Sequence, residues 1–351
     1  MLALYVCSPS AGAGKTALCV GLARRLAADG LAVAYLKPVG SSACDGSQPA
    51  VDPDVAFARQ ALRLRLPPET LTPVDLSRPP QDGVEAARHL HAAFEAAAQG
   101  RDAVLLEGAP NLRVGGEIGL SAPEVLALLE ARALVVAPYA PEGLAESILD
   151  AHRALGGRAV GVVINLVPEL GRRHVEQVVR PALAAAGVEL LGVLPLSHEL
   201  LGVTVGELVE ALQGRLLCAE DQADLPVEAY MISAMSDLGA DDYFRRRVRK
   251  AVIASGDRPD THLPALQTDT SCIVLTNGLD PDPTVLALAR DQGVPLIKVP
   301  MDTFATLEVV ADLLPTVRFR QPFKVPVVAR LLDEHFDYAA LRRALSQEAA
   351  T

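Results

Sequence analysis

The stretch SPSAGAGKT, residues 8–16, decides the fold of the N-terminal part of this 351-residue chain. An apolar run, Leu2–Cys7, precedes the stretch, and a helical pattern, Lys15–Ala28, follows it. A glycine-rich turn between a buried strand and a helix aims backbone N–H groups at an anion. The stretch departs from the Walker A pattern G-x-x-x-x-G-K-[ST] at one position, because Pro9 stands where the first glycine belongs.

The remainder of the stretch keeps the residues that carry phosphate chemistry. Gly12 and Gly14 permit the tight turn, Lys15 can reach the β- and γ-phosphates of ATP, and Thr16 can hold magnesium. The alternative interpretation is an ordinary helix start with an exposed lysine. The expected nucleotide contacts in this loop are Ser10, Gly12, Ala13, Gly14, Lys15, Thr16 and Ala17.

Outward from the loop, short apolar runs alternate with helical patterns. The predicted strands are Leu2–Cys7, Ala32–Leu36, Ala103–Glu107, Ala133–Ala137, Ala159–Ile164 and Glu189–Leu194. The predicted helices are Lys15–Ala28, Asp54–Leu64, Val84–Ala98, Ala122–Glu130, Glu142–Leu155 and Arg172–Ala186. Near-continuous apolar strands that alternate with helices predict an α/β fold with a doubly wound parallel sheet, whose ligands bind at the carboxyl ends of the strands.

Charged and amide side chains follow several of these strands. Lys37 comes after the second strand, Glu107 ends the third, and Asn165 follows the fifth. Glu107 suits the Walker B role of holding magnesium directly or through water, and an asparagine amide can bond the edge of a purine. The alternatives are a solvated surface charge for Lys37 and a turn residue for Asn165. Asp54 is either a metal ligand or, with Asp52, a helix N-cap.

In their order along the chain, the loop, Lys37-Pro38-Val39, the aspartate helix, Glu107-Gly108 and Asn165 resemble dethiobiotin synthetase. They are also similar to the related N-terminal domain of long bacterial phosphate acetyltransferases. The resemblance covers residues 1–212 and departs from the synthetase pattern after Gly108. It implies phosphate contacts, and hence catalytic roles, for Lys15 and Lys37, an adenine contact for Asn165, and magnesium binding by Thr16, Asp54 and Glu107.

A polar segment, Cys218–Pro226, interrupts the alternation and predicts a domain junction. Beyond it, Ala251–Ala254, Ser271–Thr276 and Leu296–Val299 are predicted strands, and Pro283–Gln292 and Thr303–Leu313 are predicted helices. The predicted division is an ATP-binding domain over residues 1–213, a smaller α/β domain over 226–317 and a helical C-terminal tail over 318–351.

The second domain contains the stretch SGDRPD, residues 255–260, and the stretch TSCIVLTNG, residues 270–278. Together these resemble the DRTGG domain, which lies between the P-loop module and the transferase domain in long phosphate acetyltransferases. Asp257 and Arg258 are candidates for binding an unknown small molecule, or else form an internal pair that fixes a turn. The basic run Arg245–Lys250 is predicted on a helix, as a solvated face or as an anion site.

Composition excludes several classes of protein. The formal net charge of −11 argues against nucleic acid or anionic lipid as a partner. The five cysteines form no C-x-x-C pair, which is typical of a reducing compartment, and no apolar run reaches the length of a membrane span. We expect a cytoplasmic protein that forms a homodimer or a higher homo-oligomer.

Three hypotheses about function follow from these features. The preferred one is a regulatory protein that binds ATP and Mg²⁺, related to the non-transferase half of phosphate acetyltransferase. No acetyl transfer is expected, because the sequence stops before a transferase domain. The second is an ATP-dependent ligase of the dethiobiotin synthetase or cobyrinic acid diamide synthase kind. The third is a P-loop ATPase switch, although its usual second lysine is missing from the loop.

Overall fold

Parallel strands form the central sheet of the N-terminal part of the chain. The computed structural model describes residues 1–42, 51–232, 243–314 and 317–346. Within them, two compact units are distinguished, one made of residues 1–196 and 319–351 and the other of residues 197–318. The chain therefore leaves the first unit, forms the second, and returns to the first.

The first unit has a six-stranded sheet in the order β2-β5-β1-β6-β7-β8, in which all neighbours are parallel. A small parallel pair, β3 and β4, lies beside it. The strands are β1 (Leu2–Cys7), β2 (Val33–Leu36), β3 (Val39–Gly40), β4 (Val74–Asp75), β5 (Ala103–Glu107), β6 (Arg132–Pro138), β7 (Ala159–Val167) and β8 (Leu190–Pro195). This sheet confirms the predicted fold class.

Helices cover both faces of the sheet. They are α1 (Lys15–Ala28), α2 (Pro53–Ala61), α3 (Pro68–Leu71), α4 (Gly83–Ala98), α5 (Ala122–Leu128), α6 (Leu144–Ala154), α7 (Arg172–His174) and α8 (Arg180–Ala185), with 3₁₀ turns at Gly116–Ile118 and Glu169–Gly171. Side chains of β1 alternate between two apolar cores, with Tyr5 and Cys7 in one and Leu4 and Val6 in the other. Burial on both faces explains the near-continuous apolar character of these strands.

The helix predicted over Arg172–Ala186 is not uniform, and this prediction is corrected. A π-helical segment, Val175–Val179, separates α7 from α8. Pro181 lies in the first turn of α8. Proline lacks the N–H for an ordinary helical hydrogen bond, and its ring collides with the carbonyl one turn back. A wider turn before the proline relieves that collision and lets the helix continue.

The C-terminal segment belongs to the first unit. Its helices α14 (Lys324–His335) and α15 (Tyr338–Ser346) follow those of the second unit in the chain. Leu332 of α14 is fully buried, and a Cβ built at Gly21 of α1 would lie 2.3 Å from its Cδ1. A glycine therefore allows α14 to approach α1 closely. The structure thus groups residues 319–346 with the P-loop part of the chain, whereas the sequence predicted a separate tail.

The second unit has its own mixed sheet, in the order β10-β15-β14-β13-β12, where only the β10–β15 pair is antiparallel. The strands of the second unit, which include β9 and β11 outside this sheet, are β9 (Val203–Thr204), β10 (Arg215–Leu216), β11 (Pro226–Val227), β12 (Ala229–Ile232), β13 (Lys250–Ser255), β14 (Thr270–Thr276) and β15 (Leu296–Lys298). Its helices are α9 (His198–Leu201), α10 (Val205–Ala211), α11 (Pro259–Leu266), α12 (Pro283–Gln292) and α13 (Thr303–Leu313), with a 3₁₀ turn at Glu220–Gln222.

The basic run of the second unit is not helical, which corrects another prediction. Arg245 and Arg246 lie in a turn, and Lys250 begins β13. The Lys250 side chain is fully buried, and its ammonium donates to Thr268 Oγ1 at 2.8 Å and to the Asp269 carbonyl at 2.7 Å. The run therefore does not form one solvated face, because strand pairing takes its last member into the core.

Candidate functional site

The loop between β1 and α1 is built on two glycines with positive φ. Gly12 has a φ of +74° and Gly14 a φ of +86°, a conformation that side chains with a Cβ rarely adopt. At the start of the loop, Ser8 Oγ donates to the Ser10 carbonyl at 2.6 Å and accepts from the Ser10 N–H at 3.2 Å. Ala13 and Ala17 are buried, whereas Ser10 and Gly12 are exposed. The loop thus has a fixed backbone and an exposed tip above the start of α1.

Asn165 lies against this loop. Its Nδ2 donates to the Ala13 carbonyl at 2.9 Å, and its Oδ1 accepts from the Leu166 N–H at 2.8 Å. A Cβ built at Gly14 would lie 2.4 Å from Asn165 Nδ2, so only glycine fits there unless Asn165 moves. The amide retains one further N–H. Its predicted contact with adenine stays a prediction.

Glu107, the last residue of β5, joins the first turn of α1 to β2 through its two carboxylate oxygens. Its Oε1 accepts from Thr16 Oγ1 at 2.7 Å, and its Oε2 accepts from the Tyr35 hydroxyl at 2.8 Å. The carboxyl group is buried, with 2% of the residue exposed. β5 pairs with β1 on one side and β2 on the other, which places Glu107 between the phosphate loop and Tyr35. Two hydroxyl donors therefore fix both of its oxygens.

Lys37 lies between two aspartates. Its ammonium donates to Asp52 Oδ1 at 2.9 Å and to Asp54 Oδ2 at 2.7 Å. Asp52 also caps α2, since its side chain accepts from the N–H groups of Asp54 and Val55. The predicted N-cap role of Asp52 and a charged pair with Lys37 thus occur together.

Asp54 has a second cationic partner. Its Oδ1 accepts from Arg320 Nε and lies 3.0 Å from Arg320 Nη2. Lys15, by contrast, has a weak partner: its ammonium is directed to the Pro110 carbonyl at 3.4 Å, which is long for a hydrogen bond. Lys15 is therefore bound less firmly than Lys37 and needs less rearrangement to meet a phosphate.

Burial and neighbouring charges shift the pKa values of the site. Burial raises the pKa of Glu107 above its ordinary value, against the opposing influence of Lys37. Burial also lowers the pKa of Lys15, although Glu107 partly offsets this. For Lys37, burial alone would lower the pKa, but the charges of Glu107, Asp54 and Asp52 raise it overall. For Asp54, Lys37 and Arg320 outweigh burial and lower the pKa.

A divalent metal would find few protein ligands here. In the described ranges, no group of three or more His, Cys, Asp or Glu side chains is arranged to hold a metal ion. Thr16 and Glu107, and Asp54 beyond them, offer oxygen atoms only. Mg²⁺ is commonly held by one or two protein oxygens, with nucleotide phosphates and water as the other ligands. The residues present fit magnesium bound together with a nucleotide.

Sequence reasoning missed three contributors to this site. Tyr35 belongs to a predicted apolar strand, although its hydroxyl bonds Glu107. Pro110 lies in the segment after Gly108, where the sequence departs from the synthetase pattern, and Arg320 lies in the predicted C-terminal tail. A tyrosine two residues before a strand-end lysine was a usable signal for Tyr35. Arg320 carried no local signal, because it lies 266 residues from Asp54 in the chain.

Comparison with known families identifies the first part of the chain. The family model described as an AAA domain matches residues 3–204, more than half of the chain. The chain belongs to the AAA domain family. A second family model, the DRTGG domain, matches residues 207–313. The chain therefore joins a P-loop domain of the dethiobiotin synthetase kind to a DRTGG domain, which confirms both predicted resemblances.

Phosphate acetyltransferases and a dethiobiotin synthetase are among the relatives of this AAA domain chain. Phosphate acetyltransferases of Deinococcus radiodurans and Pseudomonas putida are 27% and 23% identical to it, over 97% and 98% of the chain. The chain spans 50% and 52% of their lengths. The ATP-dependent dethiobiotin synthetase BioD of Methanococcus vannielii is 25% identical over 54% of the chain and 92% of that enzyme. The chain is homologous to the N-terminal half of phosphate acetyltransferases, and its P-loop domain implies nucleotide binding.

The DRTGG domain contains the other two predicted site residues. Arg258 forms an ion pair with Asp260, in which Nη2 lies 2.7 Å from Oδ2. Asp257 instead accepts from Ser255 Oγ at 2.5 Å, and Ser255 Oγ accepts from Asn277 Nδ2 at 3.0 Å. Asp257 and Arg258 thus have different partners in the described residues. A ligand for them stays a prediction.

The helices of the described residues can be compared with the length and composition of a membrane span. None of those in residues 1–42, 51–232, 243–314 and 317–346 has both the length and the apolar composition needed to cross a bilayer.

Proposed function

We propose that this chain binds ATP with magnesium at the loop of its AAA domain and that the DRTGG domain regulates this binding. The observation that carries the proposal is the 2.7 Å hydrogen bond between Thr16 Oγ1 and Glu107 Oε1. The loop threonine and the strand-end carboxylate are the pair of oxygens that hold magnesium in P-loop proteins. Both lie beside the glycine loop and Lys15.

Each residue has a distinct part in this proposal. The N–H groups of the glycine loop and the start of α1 bind the phosphates, and Lys15 approaches the β- and γ-phosphates. Thr16 and Glu107 hold the metal, directly or through water, and Asp54 adds a further carboxylate. Magnesium, when bound, neutralises phosphate charge. Lys37 uses two of its three N–H groups on Asp52 and Asp54, so the third can donate to a phosphate while both aspartates stay bound.

Regulation is proposed because the DRTGG domain has hydrophobic cores of its own. These cores are formed by residues between Val203 and Val310. A domain with a separate core can bind its own ligand without contributing to the phosphate loop. Such a ligand changes ATP affinity only if it binds the two states of the AAA domain unequally. The expected lack of acetyl transfer remains a prediction for assay.

The match to dethiobiotin synthetase supports a second candidate function, an ATP-dependent ligase. That enzyme is matched over 92% of its length. In ligase chemistry of this kind, Lys15, Lys37 and magnesium stabilise charge on the transferring phosphoryl group. The segment after Gly108 would then meet the acceptor.

Calorimetry and turnover assays separate these functions. We expect saturable ATP binding that weakens at least tenfold, about 1.4 kcal/mol, when EDTA removes magnesium. If ATP does not bind in the presence of magnesium, the proposal is refuted. ATP turnover that depends on an added carboxylic acid or amine would favour the ligase. A metabolite from cell extract that changes ATP affinity without being consumed would favour regulation.

A further inference from the structure

Arg320 lies outside both matched segments, 3–204 and 207–313, so neither family assigns it a role. It is the second residue of the segment that returns from the second unit to the first, which begins at Phe319. Its guanidinium contacts Asp54 through two nitrogens, Nε and Nη2, each 3.0 Å from Oδ1. A planar guanidinium held through two nitrogens is directed more strictly than a lysine ammonium would be.

The residue before Arg320 anchors this contact. The ring of Phe319 packs edge-on against Phe57 of α2, with ring centroids 5.3 Å apart. Phe57 is buried, and α2 is the helix whose first turn carries Asp54. Gln321, on the other side of Arg320, is also buried. The returning segment is therefore seated on the helix that presents Asp54 to the nucleotide site.

The charges around the loop balance only when Arg320 is included. Three carboxylates, Asp52, Asp54 and Glu107, face three cations, Lys15, Lys37 and Arg320. Without Arg320 the acids outnumber the bases. Because ATP keeps a net negative charge with magnesium bound, an excess of acid opposes its binding. Arg320 thus contributes charge as well as orientation to the site.

We propose that Arg320 is a positioning residue of the nucleotide site, which holds Asp54 and favours binding of a nucleoside triphosphate with magnesium. This inference rests on the proposed function. By reciprocity, if the seated segment favours nucleotide, then nucleotide favours the seated segment by the same factor. Since the segment follows directly on the second unit, it is also a covalent route by which the DRTGG domain can influence the site.

Substitution of Arg320 in the full chain tests this inference. We expect Arg320→Gln to raise the Kd for Mg-ATP about three- to tenfold, and Arg320→Lys to restore part of the loss. Arg343→Gln is the matched control. It also removes one exposed arginine, but that arginine lies on α15, whereas the cationic partners of Asp54 are Lys37 and Arg320. The melting temperature of each variant shows whether it is folded.

Two further measurements exclude a purely structural role. The ratio of ATP affinities with magnesium and with EDTA falls in Arg320→Gln if Arg320 positions Asp54 for the metal. In the wild type, we expect Mg-ATP to slow hydrogen exchange of the backbone at residues 319–321, and unchanged exchange there would contradict the inference.

The outcomes are distinguishable from those for the proposed function. If the wild type binds Mg-ATP and Arg320→Gln matches Arg343→Gln, or binds more tightly than the wild type, this inference alone is overturned. If the wild type binds no Mg-ATP, both the inference and the proposed function fail.

Discussion

Lys15 is the cation of the site with the weakest existing contact. Its ammonium has a 3.4 Å contact with a carbonyl, and burial lowers its pKa. A phosphate would offer a much stronger partner, because charge-assisted hydrogen bonds exceed neutral ones. In the proposed complex, Lys15 would therefore exchange a weak hydrogen bond for a strong one.

Lys15→Ala is expected to weaken Mg-ATP binding at least tenfold, about 1.4 kcal/mol, while leaving the fold intact. Isothermal titration calorimetry measures the affinity, and circular dichroism checks the fold. Lys298→Ala is the control, since it removes a lysine from the second unit that pairs with Asp280. Equal affinities in the wild type and Lys15→Ala would rule out the role of this lysine.

Glu107 is the carboxylate proposed to hold the metal, and its burial also predicts a cost to stability when no metal is bound. Its folded pKa lies above the ordinary value of 4.5 because of burial. Between the pKa of Glu107 in the unfolded chain and its higher pKa in the folded protein, folding takes up protons. The free energy of unfolding therefore falls as the pH rises through this interval. A neutral glutamine is free of this penalty. One of the Thr16 and Tyr35 hydroxyls can keep donating, to the amide oxygen of the glutamine, and the other can rotate to accept from its NH2 group.

For Glu107→Gln we expect stability relative to the wild type to increase as the pH rises above about 4.5. Urea unfolding in EDTA between about pH 5 and about pH 7 measures this difference. The same variant should lose the stabilisation that ATP gives only in the presence of magnesium. Undiminished metal-dependent stabilisation would show that Glu107 is structural.

Helix α1 has a glycine with positive φ at each end, but the two have different surroundings. Gly14, before its first turn, has a φ of +86° and faces Asn165. Gly30, after its last turn, has a φ of +88°, and a Cβ there would meet nothing within 4 Å. An alanine at either position would have a strained backbone, but only an alanine at Gly14 would also collide with a neighbouring side chain. Comparing the two substitutions therefore separates backbone strain from steric collision.

Gly30→Ala is expected to destabilise the protein by about 1 kcal/mol through backbone strain alone. Gly14→Ala adds a collision with Asn165 and should cost about 1–2 kcal/mol more. It should also abolish tight Mg-ATP binding, because the loop must open. Urea unfolding and calorimetry of both variants test this. Equal effects at the two sites would show that the contact with Asn165 is unimportant.

At the scale of the whole molecule, the chain closes its first unit with its last helices. Val328 and Leu332 of α14 join the apolar core on the α1 side of the sheet, together with Phe336. This core is incomplete in any fragment that ends near residue 213. In such a fragment the surface of α1 that α14 covers would be exposed.

Leu332→Ala is expected to lower the free energy of unfolding by about 2–5 kcal/mol, as for other fully buried leucines, because the truncated side chain leaves a cavity over Gly21. Scanning calorimetry should show a lower transition temperature for the unit that Mg-ATP stabilises. Leu170→Ala serves as the control, since Leu170 is 94% exposed, and should change stability by less than about 0.5 kcal/mol. If both variants melt alike, α14 does not stabilise the P-loop unit.

Much of the fold follows from patterns within short stretches. The bounds of β1, α1, β5, α12 and α13 agree with those predicted. Strands buried on both faces require apolar runs, and caps and glycines end helices through local hydrogen bonds. The alternation of these elements requires parallel pairing with helical crossovers, so the doubly wound sheet is also determined locally.

Tertiary structure decided which side chains meet. The order β2-β5-β1 brings Tyr35, Glu107 and Thr16 together, although no local rule specifies that order. Tertiary packing also places Lys37 between two aspartates, and it brings Arg320 to Asp54 across 266 residues of chain. The sequence by itself determined a P-loop unit followed by a second α/β unit, because those signals are local. Only folding determined the charge partners of the site, because contacts between distant residues depend on the packing of every element between them.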